Sequence, residues 1–168
     1  MTAPPTLAEA QARAAQLPDV RWSRALADRL QGEAQRERPL VSVITVVRDG
    51  VETLPRCLDS VQAQGYGPVE HLVVDGGSTD GTVDLLAERA EHLTAWLSAP
   101  DRGISDAFNR GLGLARGEII GILNADDWYE PDTVARVVDA LGDHPEAGIA
   151  CGRLRYWRGD RPDVEFPS

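Results

Sequence analysis

From residue 40 onward the chain alternates short apolar runs with stretches of helical periodicity. The runs are residues 40–47, 69–74 and 119–123, each closing on polar or Gly-rich residues. A short run apolar on both faces and followed by a helix reads as a strand of a parallel sheet. Residues 96–98 predict a shorter strand, and residues 148–156 an edge strand. Helical faces lie between them: Leu54, Leu58 and Val61; Val83, Leu86 and Ala90; Ile104, Ala107, Phe108 and Leu112; Val134, Val138 and Leu141. Pro131 suits the first turn of the last helix. Upstream, Leu7, Ala14 and Leu17, then Trp22, Leu26 and Leu30, predict two short amphipathic helices, with Pro18 between them and Pro39 after them. The expected fold is α/β: a mostly parallel sheet flanked by helices over residues 39–168, with residues 1–38 as a helical N-terminal extension. That extension packs on the main domain, or else serves a dimer or membrane-surface contact.

Composition narrows the chemistry. With 168 residues, 42% of them hydrophobic, the chain can bury one core. Net charge is -10, and all 17 basic residues are Arg. Without Lys, a Walker A loop, a Schiff-base enzyme and a receiver-type phosphoacceptor domain are excluded. Residues 1–38 hold 6 Arg against 5 acids and residues 39–168 hold 11 against 22, so the acidity belongs to the second part. Such a surface repels phosphodiester backbones, and no nucleic-acid partner is expected. Cys57 and Cys151 stand apart with no C-x-x-C spacing, as two buried small hydrophobes in a reducing compartment would. The first residues carry no secretory signature, and no stretch approaches the roughly 18 apolar residues of a membrane span. A soluble, cytoplasmic protein is expected.

In an open α/β sheet, ligands bind beyond the carboxyl ends of the strands. Asp49 follows the first run, Asp75 the second, and Asn124, Asp126 and Asp127 the third. Each acid alone also fits a turn former or helix cap. An acid pair closing a buried strand calls for a cation, and Mg²⁺ or Mn²⁺ takes one or two carboxylates beside phosphate oxygens and water. The glycines of Asp75-Gly76-Gly77-Ser78-Thr79-Asp80-Gly81-Thr82 permit a tight turn and close ligand approach. They lack the G-x-G-x-x-G spacing of a dinucleotide site. Arg102, just before a helix, is a candidate diphosphate contact, while Asp106 and Arg110 also fit a simple i, i+4 pair.

These segments, taken in order, resemble the nucleotide-binding half of family 2 glycosyltransferases of the GT-A fold. The resemblance runs through Val41-Ser42-Val43-Ile44-Thr45-Val46-Val47, then Val74 to Thr82, then Asp101-Arg102-Gly103-Ile104-Ser105-Asp106-Ala107-Phe108-Asn109-Arg110-Gly111, then Leu123-Asn124-Ala125-Asp126-Asp127-Trp128-Tyr129. It implies a UDP-, GDP- or dTDP-sugar donor and a saccharide or lipid-linked acceptor in polysaccharide or glycoconjugate assembly. Thr45 and Asp49 would line the base and ribose pocket, with Val47 and Gly76 also on the nucleotide sugar. Asp75 would accept from the base, Arg102 would meet the diphosphate, and Asp126 and Asp127 would hold Mg²⁺ or Mn²⁺.

Two departures stand out. Asn124 replaces the first acid of the family's D-x-D and would bond a ribose hydroxyl instead. The chain also ends at Ser168, where family members continue with the acceptor-binding half and the catalytic base, so the domain is expected to be incomplete at its C-terminus. No residue matches that base, and Asp160, Asp163 and Glu165 are not assigned to it. The alternatives are a nucleotide-sugar-binding module completed by a partner or a further C-terminal region, or a Mg²⁺- and phosphoryl-binding regulator. The stretch holding Arg153, Arg155, Tyr156, Trp157, Arg158 and Arg161 suits an anionic or lipid-linked acceptor, or a solvated edge strand. A homodimer and a peripheral contact at the inner face of a membrane stay open.

Overall fold

The computed structural model describes residues 5–17, 19–23, 38–158 and 161–165. Its centre is a five-stranded sheet of order β1-β4-β3-β2-β5, with β1 Arg21–Trp22, β2 Val41–Val47, β3 Val69–Asp75, β4 Ala95–Ser98 and β5 Ile119–Asn124. Strands β2 to β5 run parallel, and β1 pairs antiparallel with β4. All seven residues of β2 are buried, as its uninterrupted apolar run predicts for a strand covered on both faces.

The helices are α1 Leu7–Ala14, α2 Leu54–Gln62, α3 Thr82–Glu88, α4 Ile104–Leu114 and α5 Thr133–Asp143. On one face Val41, Val43 and Val47 meet Leu54, Cys57 and Leu58 of α2, Leu86 of α3 and Val134 of α5. On the other, Ile44 and Val46 meet Ala107 and Leu114 of α4 and Ala14 of α1. The period-two alternation of β2 sorts its side chains between the two layers.

At the amino ends of the strands lies a buried ion pair. Glu70 accepts from the Arg116 Nε at 2.8 Å, the Arg116 backbone N–H at 2.7 Å and the Ser42 hydroxyl at 2.5 Å. This network ties β2, β3 and the entry to β5 together, leaving the opposite edge to the loops.

Five expectations change. Helix α4 buries Ala107, Gly111 and Leu114, while Ile104 and Leu112 face outward. Gly111 lets the helix settle onto β2, and that contact, more than hydrophobicity, selects the inward face. Helix α5 begins at Thr133 rather than at Pro131, because Asp132 takes a left-handed conformation at φ 62°. Trp22 lies in β1 rather than in a helix, and residues 24–30 of that expected helix are outside the described residues. Residues 148–154 form no strand; β6 Arg155–Arg158 pairs instead with β7 Arg161–Glu165 in a separate hairpin, its neighbour in sequence. Cys57 is buried as expected, whereas Cys151 is exposed.

Candidate functional site

The parallel register gathers the site. Val47 of β2 stands opposite Asp75 of β3, Asp75 opposite Ser98 of β4, and Val46 opposite Asn124 of β5. The residues that follow these positions therefore leave the sheet along one edge. Asp49, Asp75, Asp101, Arg102, Asn124, Asp126 and Asp127 all belong to that edge.

The loops after β2 and β3 are laced together. The Asp49 N–H donates to the Ser78 hydroxyl at 2.7 Å, and the Asp49 carboxylate accepts from the Thr79 N–H at 2.8 Å. Gly50 N–H donates to Thr82 Oγ1 at 3.1 Å, and Val51 N–H to Asp80 at 2.9 Å. Asp49 takes the left-handed region, φ 49°, to make both of its contacts. The Thr82 hydroxyl and the Val51 N–H hold the Asp80 carboxyl below its ordinary value. Asp75 is fully buried and accepts from Gly77 and Ser78 N–H groups and from the Ser78 and Ser98 hydroxyls. Its Oδ2 carries three of these bonds and its Oδ1 one, so the remaining acceptor capacity is on Oδ1. A Cβ at Gly76 would stand 2.6 Å from an Asp101 oxygen, so a larger residue there would push that carboxylate aside.

On the third loop, Asp101 accepts from the Gly103 N–H at 2.8 Å. Asp106 joins both neighbouring arginines, at 3.0 Å to Arg102 and 2.9 Å to Arg110; the bonds from the Arg102 side chain and backbone N–H, and then the Arg110 charge, hold its carboxyl below the ordinary value. Arg110 also donates to the Ala99 and Pro100 carbonyls, bracing the loop against its helix. The Arg102 side chain is 90% exposed, so its guanidinium is open to an anion.

At the end of β5 the Asn124 carbonyl accepts from the Asp127 N–H at 3.1 Å and from the Cys57 thiol at 3.5 Å. Asn124 Nδ2 reaches an Asp127 oxygen at 3.3 Å. Asp126 and Asp127 are both exposed. Next to them the Arg56 guanidinium lies 3.3 Å from the Trp128 ring centre, with Trp157 tilted against Trp128 at 5.6 Å. A trough of about 620 Å³ lies along β5 and α5, with Asp127, Trp128 and Trp157 also in its lining.

Thr45 lies below the open edge, and Val47, in register with Asp75 at that edge, has its side chain buried. They share the β2 face that Val41 and Val43 present to α2, because side chains two apart point the same way. The Thr45 hydroxyl is fully buried, 2.9 Å from His71 Nε2 and 3.7 Å from Cys57 Sγ. Burial without a counter-charge drives the His71 pKa down to about 3 and pushes the Cys57 thiol up to about 11. Sequence reasoning missed Ser78, Asp80, Ser98 and Asp101 as parts of the site. Hydroxyl and carboxylate residues beside loop glycines are the signal that flags them.

Among the described residues no group of three or more His, Cys, Asp and Glu can hold a metal ion. Asp126 and Asp127 nevertheless fit a divalent cation that takes the rest of its ligands from phosphate oxygens and water, since both carboxylates are exposed.

Comparison with known proteins agrees with this architecture. The family model described as Glycosyl transferase family 2 matches residues 42–165. A PGL/p-HBAD biosynthesis glycosyltransferase of Mycobacterium tuberculosis is 41% identical over 118 residues, covering 68% of this chain and 46% of that protein. A mannosyltransferase from Pyrobaculum calidifontis, solved in complex with GDP-Man and Mn²⁺, superposes with a TM-score of 0.58 at 29% identity, covering 83% of this chain and 40% of that one. Residues 1–349 of Staphylococcus aureus TarS, solved with UDP-GlcNAc, share the fold with a TM-score of 0.57 at 24% identity, covering 62% of this chain and 32% of that one. The chain thus spans less than half the length of the mycobacterial relative. Among the described residues no helix is long and apolar enough to cross a membrane.

Proposed function

The chain belongs to glycosyl transferase family 2, and from that premise we propose that it forms the donor-binding part of an inverting, metal-assisted glycosyltransferase. The observation that carries this is the convergence of Asp49, Asp75, Arg102, Asn124, Asp126 and Asp127 on the carboxyl edge of one parallel sheet. Nucleoside and diphosphate then lie across the loops after β2, β3 and β4, and the sugar lies toward β5.

Asp75 is fully buried, so it shapes the loop that meets the base by holding the Gly77 and Ser78 N–H groups rather than by reaching the base itself, and Asp49 faces the ribose. Asn124 offers an amide to a ribose hydroxyl. Arg102 meets the diphosphate with its exposed fork of donors. In the transfer an acceptor hydroxyl gives up its proton to a base outside these residues and bonds to the anomeric carbon, as the bond from that carbon to the diphosphate oxygen breaks. The leaving electron pair builds negative charge on the diphosphate, and Arg102 stands where it develops. Asp126 and Asp127 would hold Mg²⁺ or Mn²⁺, which would supply positive charge to the departing diphosphate. The mannosyltransferase solved with GDP-Man and Mn²⁺ supports a nucleotide-sugar donor and a divalent ion for this site. The acceptor, a saccharide or lipid-linked hydroxyl, approaches through the trough that Asp127 and Trp128 help to line.

Calorimetric titration with UDP, GDP and dTDP, each with and without Mn²⁺, tests the proposal. Metal-dependent binding of one nucleotide is expected, and an Asp126→Ala/Asp127→Ala variant should lose it. No binding of any nucleotide in either condition overturns the assignment for this chain.

A further inference from the structure

The stretch from Asn124 to Val134 leaves the sheet, carries the acid pair and runs irregularly until α5 begins. Its backbone groups need partners, because an irregular segment has no ladder of its own. Helix α2 and Gln64, two residues past its end, supply them. Cys57 donates its thiol hydrogen to the Asn124 carbonyl at 3.5 Å. The Ser60 hydroxyl donates back to the Cys57 carbonyl at 2.7 Å, which turns its lone pairs outward to accept the Tyr129 N–H at 3.1 Å. Gln64 uses both ends of its amide. Its Nε2 donates to the Ser60 and Glu130 carbonyls, each at 3.0 Å, and its Oε1 accepts the Val134 N–H at 3.0 Å.

Positions 57 and 60 lie on one side of α2 by the spacing of three, and Gln64 follows two residues past its end. Four hydrogen bonds from these three residues reach residues 124, 129, 130 and 134, bracketing Asp126 and Asp127. The acid side chains themselves are exposed, so neither is anchored by burial. Their aim depends on where this backbone is held. The helix in turn is fixed to the sheet through buried Leu54, Leu58 and Val61.

We propose that Cys57, Ser60 and Gln64 are positioning residues that hold the Asp126–Asp127 backbone in the arrangement that receives a metal-bound diphosphate. This rests on the assignment of that pair to a metal-diphosphate site. A loop fixed in advance loses less freedom when the ligand arrives, so these contacts add to metal-dependent affinity without touching the ligand.

The experiment compares the wild-type chain with Ser60→Ala/Gln64→Ala and with Ser60→Thr. Two readouts are taken: backbone amide exchange at Tyr129 and Val134, and calorimetric affinity for UDP, GDP and dTDP with and without Mn²⁺. In the double variant, exchange at these amides is expected to rise about tenfold, the scale of one lost hydrogen bond, with the amides of β2 and β3 unchanged. The Mn²⁺-dependent gain in affinity should fall by a similar factor, and binding without metal should change less than about twofold. Ser60→Thr keeps the hydroxyl and should restore the Tyr129 amide. Unchanged exchange overturns the proposal. Faster exchange with an unchanged Mn²⁺ gain, or an equal loss with and without Mn²⁺, overturns it too, since the contacts then serve the fold alone. If the wild-type chain binds none of the three nucleotides, the assignment of the site fails, and amide exchange alone decides whether the helix holds the loop.

Discussion

Gly111 of α4 lies so close to Ile44 of β2 that an added Cβ would stand 2.3 Å from the Ile44 Cγ2. Because Ile44 is fully buried at the centre of the sheet, it has nowhere to move.

Gly111→Ala is therefore expected to destabilise the chain by about 1–3 kcal/mol through overpacking, although alanine favours helix. Urea unfolding measures this, and equal or greater stability of the variant would show that the helix can shift freely on the sheet. Because α4 begins at the Arg102 loop, its displacement should also weaken nucleotide binding.

The buried pair of Glu70 and Arg116 makes a second prediction. Side-chain exposure is 0% for Glu70 and 3% for Arg116, so removing the carboxylate strands a cation away from water. Glu70→Ala should cost about 3–5 kcal/mol, far more than an exposed pair such as Arg89 with Asp59. A loss below about 1 kcal/mol in denaturant unfolding would mean that water reaches the site.

His71 predicts a pH dependence. Its pKa falls to about 3 in the folded chain from 6.5, with desolvation as the cause. The unfolded chain thus binds a proton that the folded chain refuses. Stability is full above pH 6.5 and is lost as pH falls toward 3, by up to about 1.4 kcal/mol per pH unit. Between about pH 6.5 and 5 few carboxylates titrate, so the loss there is chiefly from histidine. Unfolding free energies at several pH values should show this slope in the wild type and a flatter one in His71→Gln. Parallel profiles would contradict the buried neutral imidazole.

Arg102→Ala isolates the exposed cation. Its guanidinium is open to solvent, so unfolding stability should change by less than about 0.5 kcal/mol. Affinity for a nucleoside diphosphate should drop about tenfold, and the wild-type advantage should shrink as salt rises. Equal affinities at low salt would remove Arg102 from the diphosphate site.

Much of the fold was legible because its strongest signal is local. The runs ending at Val47, Val74 and Leu123 are strands within a residue of their expected ends. The Leu54, Leu58 and Val61 spacing predicts the buried face of α2. Where the pattern misled, a contact between distant residues had decided. Leu112 has the apolar character of a core residue, yet the fit of Gly111 on Ile44 turns it outward. Residues 148–154 have the composition of a strand but find no ladder on the main sheet.

By itself the sequence determined that an acidic, lysine-free chain builds a parallel sheet whose strand ends carry Asp49, Asp75, Asn124, Asp126 and Asp127. Alternating periodicity and strand-end composition are properties of neighbours along the chain, and they survive in any fold that buries the apolar faces. Which of those residues reach open space was decided only in three dimensions. Thr45 and Val47 belong to the same motif as Asp49, but the two-residue alternation of β2 aims them beneath α2, while the left-handed turn at Asp49 lifts it to the edge. The partners of Asp75, the bracing of the acid pair by Ser60 and Gln64, and the Asp101 contact with Gly76 join positions 3 to 70 residues apart. Their hydrogen bonds depend on direction and distance, which no pattern along the chain encodes.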